Sequence, residues 1–279
     1  AKPAVKYSQP AIPGDSYICY GFDMPPRDKR HATAIRVNVD NDKIVHHVLV
    51  MQTDIPQLPV PVPCLQTSLL TNRLVYAWAP GAKSFVLPPE AGIPVDVTTH
   101  WVVQVHYSNP KALAGQTDES GFEMCTTDKL RKYDADMLAF GSTNFVIPPK
   151  SKLDISCTQP LLPQPIHIIS GAPHMHGLGR SMTTTLKKKD GTTFDLGSNP
   201  AFDWNNQISY PVVSDAVVEP GDTVVSRCRW ENPGSLPVLW GERTEDEMCF
   251  SFTMYYPKIP FFSWMSPSSL SLCTPTPTK

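Results

Sequence analysis

Thirty of the 279 residues are proline, and they recur every few positions, as at Pro56, Pro59, Pro61 and Pro63. A proline inside a helix removes a backbone donor and clashes with the preceding turn, at a cost of about 3 kcal/mol. Such spacing leaves little room for long helices, so the chain is expected to be mostly β with proline-punctuated loops. The strand signals point the same way. Ala34 to Asp40 alternates, with Ile35, Val37 and Val39 on one face. Between Thr99 and Tyr107, Trp101, Val103, Val105 and Tyr107 face one way, and Val102, Gln104 and His106 the other. Apolar pieces flank the turn Glu219-Pro220-Gly221-Asp222, Lys189-Asp190-Gly191-Thr192 reads as a hairpin turn, and Cys249 to Tyr256 reads as a further strand. Short strands separated by turns predict β-sandwiches. Two segments offer a domain boundary, the polar stretch Asp128 to Asp136 and Pro148-Pro149-Lys150. The first is preferred because it gives halves of similar size, residues 1–133 and 134–279.

Charge excludes some classes. Charged residues make up 18%, the formal net charge is -2, and no Lys/Arg run exceeds Lys187-Lys188-Lys189. That balance argues against a nucleic-acid binder reliant on a basic surface. Hydrophobic residues, at 41%, suffice for a packed core. No apolar run approaches the roughly 18 residues of a membrane span.

Seven cysteines are dispersed along the chain with no CxxC pair, which disfavours a zinc ribbon or a thioredoxin-like motif. Single cysteines in a β-rich chain suggest disulfides and an oxidising compartment. The first residue is Ala1, not Met, and the expectation is a secreted or periplasmic mature chain after signal-peptide removal. An odd number leaves at least one thiol free or paired elsewhere, and spacing alone does not give the connectivity.

Five of the eight histidines fall in three tight settings, namely Val45-His46-His47-Val48, His106 inside Val103 to Tyr107, and His174-Met175-His176. On a strand, i and i+2 share a face, so His174 and His176 can serve one metal together. Adjacent His46 and His47 point to opposite faces of a regular strand. For both to reach one ion, the chain must bulge or twist there. Imidazole suits copper, zinc, iron and nickel. His31, His100 and His167 have no partner nearby in sequence and are read as structural.

Taken in order, Val45-His46-His47-Val48-Leu49, Trp101 to Tyr107, His174-Met175-His176-Gly177, Asp246-Glu247-Met248-Cys249 and Met254-Tyr255-Tyr256 resemble the copper type II, ascorbate-dependent monooxygenases. That family includes the peptidylglycine α-hydroxylating and the dopamine and tyramine β-monooxygenases. The resemblance runs from about Tyr17 to Cys273. It implies an all-β chain of two tandem Greek-key or jelly-roll β-sandwich domains, each holding one copper ion. By resemblance, His46, His47 and His106 match the ligands of an electron-transfer copper, and His174, His176 and Met248 those of a catalytic copper. It further implies the disulfides Cys19–Cys64, Cys157–Cys273 and Cys228–Cys249, leaving Cys125 over. The implied chemistry is hydroxylation with dioxygen and a one-electron reductant such as ascorbate.

The departures from the family pattern bear on substrate. In the peptide-amidating branch, an arginine two residues before His-x-His, and an asparagine and a tyrosine two and four residues after the methionine, grip a substrate carboxylate. Here those positions are Ala172, Phe250 and Phe252. A carboxylate would lose its charge-assisted hydrogen bonds there. A C-terminal glycine peptide is therefore not expected, and a small molecule or peptide carrying a C–H bond on a hydrophobic or aromatic group is. The alternative from another class is a non-catalytic copper-binding protein serving storage or delivery.

Overall fold

The computed structural model describes residues 1–23, 28–64, 72–96, 98–159, 164–213, 216–260 and 276–277. Among them there is no helix, and regular structure is entirely β. The chain divides into two compact units, Ala1–Asp134 and Ala135–Lys279. Not every proline falls in a loop. Pro94 lies within the Ala91–Val95 strand opposite His31, and Pro173 within the Ile166–His174 strand opposite Ser251.

The first unit is built on two five-stranded sheets. One runs in the order Val62–Pro63, Asp15–Asp23, His100–Ser108, Val45–Thr53, Arg73–Trp78, with every neighbour antiparallel. The other runs Gly121–Thr127, Arg30–Asn38, Ala91–Val95, Tyr133–Asp134, with Phe85–Val86 also paired to Arg30–Asn38. In the first sheet the central strand is buried without interruption from Trp101 to Tyr107. Its alternation therefore describes two covered faces, one apolar and one carrying Gln104 and His106. His31 is 1% exposed. Its Nε2 lies 2.8 Å from Asp134 Oδ1, and its Nδ1 accepts from Arg131 N at 2.9 Å, pinning the edge of the second sheet.

The second unit repeats the plan. One sheet runs Asp136–Gly141, Phe250–Tyr256, Ile166–His174, Tyr210–Pro211, with Val217–Val218 also on Ile166–His174. The other runs Thr193–Asp195, Gly179–Lys187, Thr223–Asn232, Ser151–Thr158, Thr276–Pro277. Thr223–Asn232 shows how sequence makes this sheet. Val224, Ser226, Cys228, Trp230 and Asn232 are buried while Arg227, Arg229 and Glu231 are exposed, the period-2 pattern of a strand with one dry face. Met175, Met182, Phe202, Trp230 and the Cys228 and Cys249 sulfurs form the core beneath it. The turn at Lys189–Thr192 joins Gly179–Lys187 to Thr193–Asp195, with Gly191 at φ 89, a conformation that side-chain-bearing residues avoid.

Gly141 meets a tighter requirement. A Cβ there would overlap the Cys249 carbonyl oxygen, which accepts from Ser142 N at 3.0 Å. The close approach of these two strands fixes where the chain leaves Met248.

Candidate metal centres

The first cluster arises where three neighbouring strands meet. His46 and His47 lie on Val45–Thr53, His106 on His100–Ser108, and Tyr17 on Asp15–Asp23. Val45 pairs with Tyr107, but His47 pairs with His106, so His46 is an extra residue in a β-bulge. The bulge turns both adjacent histidines toward His106, which a regular pleat forbids. His47 Nδ1 lies 3.4 Å from His46 Nδ1 and 3.2 Å from His106 Nδ1. One donor atom from each ring fits within 4.8 Å of the others. Nitrogens bound at about 2.0 Å to one ion at tetrahedral angles stand about 3.3 Å apart. The two shorter separations match that value, so the three rings are placed to share one ion.

The surroundings orient this cluster. The Tyr17 ring stacks on His106 with centroids 4.4 Å apart and planes at 8°. Asp15 Oδ2 stands 3.5 Å from His106 Nε2, which favours a proton on that nitrogen and leaves Nδ1 its lone pair. Cys19 is bonded to Cys64, and Cys64 N donates to Tyr17 O at 3.0 Å, so the disulfide braces the strand that carries Tyr17 and Asp15.

The second group gathers at the end of Ile166–His174. The hydrogen-bonded strand stops at His174, yet alternation continues one step further. Met175 is fully buried in the core, and the rings of His174 and His176 meet edge to face with centroids 5.3 Å apart at 82°. His176 Nδ1 donates to Asp246 O at 2.9 Å. His174 Nδ1 donates to Gln207 Oε1 at 2.6 Å, while Gln207 Nε2 donates to Trp204 O at 3.0 Å. A carbonyl acceptor at Nδ1 sets the tautomer of each ring and leaves Nε2 as the lone-pair nitrogen. Met248 is 4% exposed and directly precedes Cys249, which is bonded to Cys228 on the Thr223–Asn232 strand. Imidazole nitrogens and a thioether are donor types that suit a soft cation.

Two family descriptions match the chain. Residues 4–114 match the copper type II ascorbate-dependent monooxygenase N-terminal domain, and residues 133–274 match its C-terminal domain. The chain belongs to the copper type II ascorbate-dependent monooxygenase family. It is 28% identical over 275 residues to DBH-like monooxygenase protein 1 of Gallus gallus, covering 88% of this chain and 45% of that protein. It is 30% identical over 275 residues to dopamine beta-hydroxylase of Homo sapiens, covering 87% and 44%. The chain thus spans a little under half the length of these relatives. In this family member, the His46, His47 and His106 triad is the group of side chains that fits a copper site.

Three residues around the second group carry roles that the sequence did not mark, although Glu247 stands inside the Asp246 to Cys249 motif. Glu247, wholly buried, accepts from His176 N, Leu178 N, Trp230 Nε1 and Met248 N. Burial raises its pKa, and those donors pull the other way. Gln207 holds His174, and the half-buried Trp204 ring lies 5.1 Å from His176 and 6.4 Å from His174. All three meet the histidines only in space.

Of the positions expected to line a substrate pocket, Ala172 pairs with Phe252 across the sheet, and the Phe252 ring lies 5.6 Å from His174. Phe250 is 1% exposed and packs against Gly141. Cys157 is disulfide-bonded, while Cys273, its expected partner, lies outside the described residues. Cys125 is a free, exposed thiol. His100 pairs with Asp23 and His167 stacks on Tyr256 at 4.7 Å.

Glu242 precedes Met248 in the same loop, and burial pushes its carboxyl from 4.5 up to about 8. Between those values the folded chain holds a proton that the unfolded chain has released. The group therefore favours folding at low pH and loses that contribution as pH rises through about 8. Glu242→Gln mimics the protonated form. It is expected to raise the melting temperature at alkaline pH and change it little in acid. Melting curves across the range check this, and an equal shift at both ends contradicts it.

Proposed function

We propose that this chain hydroxylates a C–H bond of a hydrophobic or aromatic-bearing substrate with dioxygen and a one-electron reductant such as ascorbate. In this reading His46, His47 and His106 hold an electron-transfer copper, and His174, His176 and Met248 hold the catalytic one. The observation that carries it is the chemical difference between two preorganised donor sets in a member of this family, one of imidazoles alone and one able to add a thioether. When bound, copper supplies one-electron transfer at the first set and reaction with dioxygen at the second. The protein's own part is orientation. Asp15 and Tyr17 hold His106, Gln207 holds His174, and Asp246 O holds His176. The Met248 thioether, as a soft ligand, would favour Cu(I) there.

Ala172, Phe252 and Trp204 give the neighbourhood of His174 an apolar and aromatic character. An aromatic side group stacks on such walls, whereas a carboxylate would be desolvated without a charged partner. Relatives carry the name dopamine beta-hydroxylase, and a phenylethylamine-type compound fits this lining. The two described disulfides support a secreted setting.

Ascorbate-driven oxygen uptake by the copper-loaded protein, with phenylethylamines and with a C-terminal glycine peptide, tests the proposal. Hydroxylated product is expected from the first and none from the second. Copper uptake without turnover of any substrate would leave the storage or delivery reading. A companion variant tests the lining. Ala172→Arg with Phe252→Tyr should strengthen binding of a carboxylate-bearing peptide about tenfold or more, the worth of a hydrogen bond to a charged group. Unchanged binding would mean these positions do not line the pocket. Phe250 is left in place because an asparagine there would be buried against Gly141.

A further inference from the structure

Glu247 sits on neither strand that flanks the second centre, yet it ties both segments together. Its Oε2 accepts from His176 N at 2.9 Å, Trp230 Nε1 at 3.0 Å and Met248 N at 3.2 Å, and its Oε1 accepts from Leu178 N at 2.6 Å. One oxygen thus gathers the backbone of His176, the backbone of Met248 and an indole rooted in the opposite sheet. Satisfying all four donors takes an acceptor at both oxygens. A glutamine of the same size would turn an NH2 toward an N–H donor. The carboxylate is wholly buried, its four donors are formally neutral, and it makes no ion pair among the described residues.

We infer that Glu247 is a positioning residue for the second copper. It fixes the backbone of His176 and of Met248 relative to each other before metal binds. This inference rests on the assignment of His176 and Met248 as ligands. It makes the second centre depend on a residue that coordinates nothing, while the first centre is indifferent to it.

The test is Glu247→Gln in the full chain, titrated with Cu(I) and examined by X-ray absorption beside wild type and Met248→Ile. Expected is a 10–100-fold loss of Cu(I) affinity at one site only, the usual cost of removing an outer partner of a ligand. A weakened Cu–S contribution and a smaller rise in melting temperature on copper addition should accompany it. A folded Glu247→Gln with wild-type affinity and Cu–S contribution overturns the inference. A purely structural role would lower the melting temperature of the metal-free protein and leave those two readouts unmoved, which also overturns it. Should Glu247→Gln not fold, Trp230→Phe carries the test by withdrawing one donor from the same oxygen. A reduced Cu–S contribution supports the inference, and an unchanged one refutes it. If wild type itself lacks a Cu–S contribution, or Met248→Ile retains it, the ligand assignment fails instead.

Discussion

Met248→Ile is expected to abolish ascorbate-dependent oxygen consumption while copper stays bound at His46, His47 and His106. Isoleucine nearly matches methionine in bulk, and Met248 is only 4% exposed. A volume-conserving apolar exchange costs under about 1.5 kcal/mol, so the second unit should still fold. What disappears is the sulfur lone pair. Turnover should fall by more than about 100-fold, beyond what loss of an outer-shell partner costs. Oxygen-electrode rates, together with copper counted per chain, check this. A variant that turns over normally would show that Met248 has no part in the reaction.

Removing the Cys228–Cys249 bond by Cys228→Ala with Cys249→Ala should have the largest effect on stability. The bridge joins residues 21 apart in sequence, for which chain entropy gives about 3 kcal/mol. Both sulfurs lie in the core with 0% exposure, so their loss also leaves voids beside Met175, Met182 and Trp230. For a unit of this size the melting temperature should drop by roughly 10 °C. Cys249 follows Met248 directly, so copper affinity at the second centre should fall as well, with the first centre unaffected. Calorimetry with and without copper measures both. A variant melting within about 2 °C of wild type, with full copper content, would show that the bridge neither braces the core nor steadies Met248.

Much of the architecture was legible because its signals are local. Proline spacing removed long helices, and alternation from Thr99 to Tyr107 marked the His100–Ser108 strand. Adjacent histidines required a break in the pleat, and the structure has that break at His46. The limits were equally physical. Alternation along Trp101 to Tyr107 separates two faces but does not reveal that both are covered, since burial depends on what packs above. The paired histidines at 174 and 176 share a face although the strand ends at the first, because side-chain alternation outlasts the ladder hydrogen bonds. Gln207 and Trp204 reach His174 from 33 and 30 positions away, through a turn that no periodicity announces. Glu247 stood inside a motif beside Met248, but its role comes from donors as distant in sequence as His176, 71 positions back.

Two copper centres of different chemistry on one chain leave a direct spectroscopic signature. Copper analysis with X-ray absorption on the ascorbate-reduced protein tests for it most directly. Two coppers per chain, nitrogen ligation at both and a Cu–S contribution that vanishes in Met248→Ile are expected. One copper per chain, or two with no sulfur ligation, would contradict it.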